Sequence, residues 1–454
     1  MYRSGSETAR HNKLERVKGL VFRLSGSSSV LPWRLGVATG GKFTVKHIGI
    51  LALICAAALA ASAQQPPAQQ PPPQKLTLAQ ALDMAERQNL DLIAARAQRA
   101  VSAAGVKIAG QRLNPTANFT ALRDDPHEGW WFDVPLELGP KRKRRIQLAR
   151  AQGVLTDDNV EALERLTRQS VRDAFFGLSL ARNLTAEKSD AVTLAQRLHD
   201  IAEQRYKAGD VPQLEVFQAD LVASQAQADY QVAQQDEKVA LSVLNSLLDE
   251  PPATNWDLVT PLDELPAEPS LNNLLTRAAN SNYDLQKIKQ QEKIEESQRA
   301  LYEADRIPNL VLSLGVDYNS PHNFRYGPRS QVSMEVPLFM RYQGEIAQSS
   351  ATLTALQDQA AATRRAVDGR VESAFLQLDS REEQARLYGK SLVPAAQKLE
   401  SLAEDSYRAG QADILAVLSA QQNVQQVKQK YLQSLYAVHQ AFALLEETVG
   451  VPLD

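Results

Sequence analysis

Tyr206-Lys207-Ala208-Gly209 returns 201 residues later as Tyr407-Arg408-Ala409-Gly410, and this recurrence decides the fold. It belongs to an ordered set. Asn89-Leu90-Asp91-Leu92 returns as Asn282-Tyr283-Asp284-Leu285 at an offset of 193, and Leu113-Asn114-Pro115 returns as Ile307-Pro308, again at 193 through the prolines. Val134-Pro135-Leu136 returns as Val336-Pro337-Leu338 at an offset of 202, so the second copy is longer by nine residues between Pro308 and Pro337. Four landmarks in one order read as an internal duplication. Residues 76–250 form the first unit, 270–453 the second, and the Pro-rich stretch 251–269 joins them.

Each unit reads as helix, two strands, long helix, turn and helix. Val332, Met334, Val336 and Leu338 alternate with Gln331, Ser333, Glu335 and Pro337; Trp130, Phe132, Val134 and Leu136 alternate with Trp131, Asp133, Pro135 and Glu137. Leu310, Leu312, Leu314, Val316 and Tyr318 alternate with Val311, Ser313, Gly315 and Asp317, whereas residues 117–123 alternate only weakly. Strands of about ten residues with one apolar face cross an outer membrane when tilted, although a half-buried strand of a soluble sheet carries the same pattern.

No proline lies between Pro140 and Pro212, so Lys141–Ala208 is expected as one helix of 68 residues. At 1.5 Å per residue it spans about 100 Å, more than a compact domain holds. After the turn at Gly209, Val216, Ala219, Ala223, Ala226, Tyr230 and Ala233 step by three and four. The second unit repeats this seam with Val417, Ala420, Val424, Val427, Tyr431, Ser434, Val438, Ala441 and Leu445. Such steps predict coiled-coil packing, with Gly209 and Gly410 ending the preceding helices in the left-handed conformation. Pro394 interrupts the second long helix and is expected to kink it.

The 454 residues carry a formal charge of −3, but residues 1–63 hold nine Lys/Arg against two Asp/Glu, leaving −10 for the remainder. That balance argues against nucleic-acid binding. Lys42 and Lys46, the apolar run Ile48–Ala61 and Ala61-Ser62-Ala63 read as a secretory signal peptide cleaved after Ala63. Residues 1–41 are too long for a signal n-region and read as lying upstream of the true start, near Val37–Val45. The single cysteine, Cys55, leaves with the leader, and the Pro/Gln-rich segment 64–75 opens the mature chain. Mean hydropathy of −0.33 excludes a polytopic helical membrane protein but not a β-barrel. No nucleophile–base set, phosphate loop or metal-ligand spacing occurs, so neither an enzyme, nor a cofactor, nor a metal site is expected.

Two strand pairs give four membrane strands, which cannot close alone, and an open edge in lipid leaves backbone groups unsatisfied. Three chains would supply twelve. The fold expected is therefore mainly α with a β membrane part: long coiled-coil helices in an α-barrel, below a trimeric 12-stranded outer-membrane β-barrel.

The tandem Arg205-Tyr206-x-x-Gly209 and Ser406-Tyr407-x-x-Gly410, the Pro337-Leu338-Phe339 strand exit and the Ala/Gln-rich seams resemble the TolC-like outer-membrane efflux family across residues 76–453. Glu137–Arg145 and Pro337–Ile346 resemble its heavy-metal cation-efflux branch, which has a second Gly at Pro140 and often Asn-Gln at Tyr342-Gln343. The resemblance implies the passive outer-membrane duct of a tripartite exporter, a homotrimer docked on a periplasmic adaptor and an inner-membrane pump of RND type. It places Arg205, Tyr206, Gly209, Glu215, Tyr407, Gly410 and Asp413 at the periplasmic tip. Ala416 stands where Glu215's counterpart is expected.

Asp133, Glu137, Asp317, Ser333 and Glu335 share the polar parity and are the pore-lining candidates, either as a cation-favouring passage or as ordinary pore hydration. Lys141–Arg145 would meet anionic head groups, and Trp130, Trp131, Phe324 and Tyr326 an interfacial girdle. His127 and His322 occupy equivalent hairpins. The rival functions are a duct of this build for organic compounds or secreted polypeptides, and a periplasmic coiled-coil adaptor or scaffold without lipid-facing strands.

Overall fold

The computed structural model describes residues 74–267, 269–320 and 324–453. The leader, its cleavage site, Cys55 and His322 lie outside them. The described chain falls in one compact unit, 72–454.

Strand β1 (Gln74–Leu76) leads into α1 (Leu78–Gln88), α2 (Leu90–Ala109), β2 (Thr116–Ala121), β3 (Glu128–Leu136), α3 (Lys141–Ala208) and α4 (Gln213–Leu247). After β4 (Trp256–Leu258) the order returns: α5 (Leu271–Ser281), α6 (Tyr283–Asp305), β5 (Leu310–Ser320), β6 (Phe324–Met334), α7 (Gln343–Leu387), α8 (Val393–Arg408) and α9 (Ile414–Val449). Each half thus opens with two helices where the sequence suggested one, and the recurring asparagine explains the break. Asn89 accepts from the backbone N–H groups of Asp91 and Leu92, and Asn282 from that of Leu285, so each caps a new helix. Each Nδ2 also donates to the final helix of its own half, Asn89 to the Leu247 carbonyl at 3.2 Å and Asn282 to the Thr448 carbonyl at 2.7 Å. Both side chains are buried, where an unmade bond would cost about 1–3 kcal/mol.

Helix α3 is the single 68-residue helix expected, ending at Gly209 with φ +82°. Its counterpart is interrupted. A π-helical turn, Tyr388–Leu392, separates α7 from α8. Pro394 has no N–H for the Lys390 carbonyl, and a widened turn gives its ring room. Gly389 belongs to this turn because a Cβ there would meet the Tyr431 ring at 2.8 Å.

The core gathers Phe175, Phe176 and Leu178 of α3 with Val371 and Leu378 of α7 and Val438, Phe442 and Leu445 of α9. Fully burying each such side chain is worth about 1.5–3 kcal/mol. The Pro-rich join, read as a linker, is built into this core. Its β4 pairs in parallel with β1, and Trp256 donates Nε1–H to Asn245 at 2.6 Å. Helices α3 and α9 pack on each other, α4 packs chiefly on α3, and α7 and α8 pack on α9. The helical layer therefore runs α4, α3, α9, α7/α8. The expected seam is buried along α9 through Val417, Ala420, Val424, Val438 and Leu445, whereas in α4 only Ala219 of its seam is. Helix α4 lies at an edge, packed along its length chiefly on α3.

Candidate pore and tip

Strands β2, β3, β5 and β6 form one antiparallel sheet in that order. Its register sorts the side chains cleanly, since alternate residues face opposite ways. The rows Phe119–Trp130–Val316, Phe132–Leu314 and Val134–Leu312–Val332 share one face. Asn118–Trp131–Gly315–Arg329, Asp133–Ser313–Gln331 and Gly129–Asp317–Gly327 share the other. The apolar face is the open one: Trp130, Phe132, Leu314, Val332 and Met334 are exposed, while Ser313 and Asp317 are buried. In water this inverts the hydrophobic rule; beside lipid it satisfies it. Among the described residues no helix is long and apolar enough to cross a membrane.

The pore-lining candidates separate. Asp133 and Ser333 lie on the polar face, with Asp133 accepting from Asn118 Nδ2 at 2.7 Å. Asp317 lies there too, 2.8 Å from Arg329 Nε in a contact that is ionic by distance but outside hydrogen-bond alignment. Glu335 falls beyond β6, which ends at Met334 because Leu310, its partner, begins β5. Val336 and Leu338 are therefore not strand residues, contrary to their alternation. Trp131 leaves the expected girdle, since it faces the polar side over Gly315, where a Cβ would meet its ring at 2.8 Å. Trp130 and Tyr326 remain on the apolar face, Trp130 with its ring centroid 4.8 Å from Phe119's.

Glu137 follows β3 and is bound by Arg145, through Oε1 to Nη1 and through Oε2 to Nη2 at 3.0 Å. The Arg145 hydrogen bonds hold its carboxyl below the usual range against the opposing effect of burial. Lys141 and Arg142 are also engaged. Lys141 is buried and donates to Asn309 at 2.8 Å, and Arg142 donates to the Gly110 carbonyl at 2.6 Å. Arg145 reaches the Ala109 carbonyl as well. Arg142 and Arg145, from the positive run that opposes the α3 dipole, thus complement the carbonyl end of α2.

At the tip, Gly209 and Gly410 have φ of +82° and +75°, with nothing within 4 Å of a Cβ at either. Tyr407 packs with Leu198, Ala202, Ala219, Ile414, Val417 and Leu418. Its hydroxyl lies 3.4 Å from Glu215 Oε2, and the Arg205 guanidinium sits 4.7 Å from its ring centroid. Burial, with Glu215, raises the phenol pKa while Arg205 opposes the shift. Asp413 caps α9 by accepting from the Ala416 N–H at 3.0 Å. The two turns differ here: Tyr407 is 1% exposed and Tyr206 43%. Arg205, Glu215 and Tyr407 come together; Tyr206 stands apart from them. Sequence reasoning missed Arg329, whose signal was its odd-numbered parity with Gln331 and Ser333.

His127 lies 3.2 Å from Asp125. Among the described residues no group of three or more His, Cys, Asp or Glu is disposed to hold a metal ion.

The family model for outer membrane efflux proteins matches residues 81–249 and 274–451. Among curated proteins the chain is 24% identical over 383 residues to the cobalt-zinc-cadmium resistance protein CzcC of Cupriavidus metallidurans, covering 83% of this chain and 90% of that one. The solved outer membrane protein VceC of Vibrio cholerae aligns with a TM-score of 0.68 at 15% identity, over 83% of this chain and 97% of VceC. CusC, described for its transmembrane channel formation, aligns with a TM-score of 0.66 at 16% identity, over 85% and 99%. Two family matches in one chain, on a sheet with an open apolar face and helices of this length, have one meaning: the chain belongs to the outer membrane efflux protein family.

Proposed function

We propose that the chain is the passive outer-membrane exit duct of a tripartite exporter, assembled as a homotrimer, with metal cations as cargo. The carrying observation is that both layers are open, each with one edge from either half. The sheet ends on β2 and β6, and the helical layer on α4 and α7/α8. Along α4, Leu214, Phe217, Leu221, Val232, Val239 and Val243 are exposed, and along α7/α8 so are Leu376, Leu387, Leu399 and Leu402. If residues 76–250 and 270–453 are copies of one unit, the operation relating α3 to α7/α8 relates α9 to α4. The α3–α9 contact inside the chain then has its equivalent between α7/α8 of one copy and α4 of the next. Three chains would close twelve strands into a barrel without a lipid-exposed edge, continued by a tube of helices.

In this reading residues 1–63 direct export and are removed, and the Gly209 and Gly410 turns form the periplasmic end that an adaptor engages. An inner-membrane pump of RND type supplies the energy. The cobalt-zinc-cadmium resistance named for the CzcC relative supports metal cargo. The test is deletion in the host with growth on cobalt, zinc and cadmium, and membrane fractionation of the restored protein. Metal sensitivity cured by the gene, with the protein in outer membranes, is expected. Unchanged metal tolerance refutes the cargo, and recovery as a soluble periplasmic monomer refutes the duct.

A further inference from the structure

Among the residues paired across the polar face of the sheet, the charged side chains are Asp133, Asp317 and Arg329, with Arg325 at the same parity toward the start of β6. Asp317 has an unusual setting. Both its cross-strand neighbours are glycines, Gly129 on β3 and Gly327 on β6. A Cβ at Gly129 would lie 2.9 Å from Asp317 Oδ1 and 2.9 Å from Thr120 Oγ1, so the missing side chain is what lets the carboxylate lie along the sheet. In that posture Asp317 is 3% exposed. Arg329, two residues beyond Gly327, reaches back to 2.8 Å from Oδ2 while its own side chain stays 57% exposed. The pair is therefore layered. The carboxylate is against the wall and the guanidinium is on the open side.

This arrangement matters to an ion passing the polar face. Two acidic rings, Asp133 and Asp317 of each chain, in a low-dielectric wall would concentrate cations and slow the release of a divalent ion. Conduction needs sites weak enough to release what they attract. Arg329 cancels the Asp317 charge and stands between it and the passage, leaving Asp133 as the uncompensated carboxylate of each chain on this face.

Building on the duct proposed above, we infer that Arg329 is the residue that sets its ion selectivity, by masking Asp317 so that the passage attracts cations without retaining them. Loss of Arg329 would unmask a second carboxylate per chain, Asp317, beside Asp133 on this face. Loss of Asp317 would leave a free guanidinium there. The two single changes act in opposite directions on the same quantity, which a merely structural pair would not do.

The test is the reversal potential of the purified assembled protein in planar bilayers under a potassium chloride gradient. Arg329→Gln should move it toward the potassium equilibrium potential and make the current sensitive to block by added zinc. Asp317→Asn should move it toward the chloride potential, and the double variant should return near the wild-type value. Arg329→Cys in a Cys55→Ala background repeats the test on channels already assembled: a cationic thiol reagent should restore wild-type selectivity, and an anionic one should drive it further toward potassium. A conducting channel whose reversal potential is the same with and without Arg329 overturns the inference and leaves the duct standing. A wild-type protein that conducts nothing overturns the duct and the inference together.

Discussion

Leu314→Arg distinguishes a sheet in lipid from a sheet in water. Leu314 sits midway along β5, an inner strand, in register with Phe132 and Ser330, and is 49% exposed on the apolar face. If that face meets water, an arginine there is a surface substitution, and stability should change by no more than about 0.5 kcal/mol. If it meets hydrocarbon near the midplane, the cost is roughly 2–4 kcal/mol per site, or about 6–12 kcal/mol over three symmetry-related copies. Gln331→Arg is the matched control, because it adds the same side chain to the opposite face of the same sheet. The assay compares the yield of trimers in outer-membrane fractions and their urea midpoints. Leu314→Arg should nearly abolish the trimer and Gln331→Arg should leave it. Equal yields would refute the lipid assignment of the face. Charging Met334, where β6 ends, is a weaker test, since near the interface the penalty falls to about 0–1 kcal/mol.

Gly209→Val and Gly410→Val meet no neighbour within 4 Å, so the cost is that of the left-handed backbone, about 1–2 kcal/mol at each site. Trimers should persist while export falls; normal export would remove these turns from the mechanism. Gly450→Ala should be worse than Gly209→Ala, because at φ +88° its Cβ also drives into the Ser281 carbonyl. Equal thermal midpoints for the two alanine variants would contradict that packing. His439, stacked on Phe176 with Nε2 2.9 Å from the Leu262 carbonyl, is pushed down to about 4 by burial. The unfolded chain then takes up the proton first, so stability falls as pH drops from 6.5 toward 4. Burial lifts Asp173 to about 6, which has the opposite sign and is lost as pH rises from 3.8 to 6. His439→Gln should flatten the acid limb; a variant as acid-sensitive as the wild type would show that His439 does not carry it.

Much of this was written in periodicity. The long helix from Lys141 to Ala208, the two left-handed turns and the two faces of β3 and β5 follow from spacing alone. The sequence was least informative where tertiary partners decide. The alternation through Val336 and Leu338 continued a strand pattern past the point where β5 offers a partner. Arg142 and Arg145 looked like part of a surface patch because nothing local announces that the end of α2 lies beside them. Asp317 read as one acidic pore residue among several; only the register reveals the glycines on either side and Arg329 two residues along the neighbouring strand. The apparent linker hides its role for the same reason, since Trp256 finds Asn245 only after α4 has folded back.

The most direct test of the account is the native mass of the protein extracted from outer membranes in mild detergent. In the proposed duct three copies close the open edges of the sheet and of the helical layer, so the account predicts a complex of three chains that loses its sheet when dissociated. A monodisperse single chain retaining its sheet in detergent would contradict it.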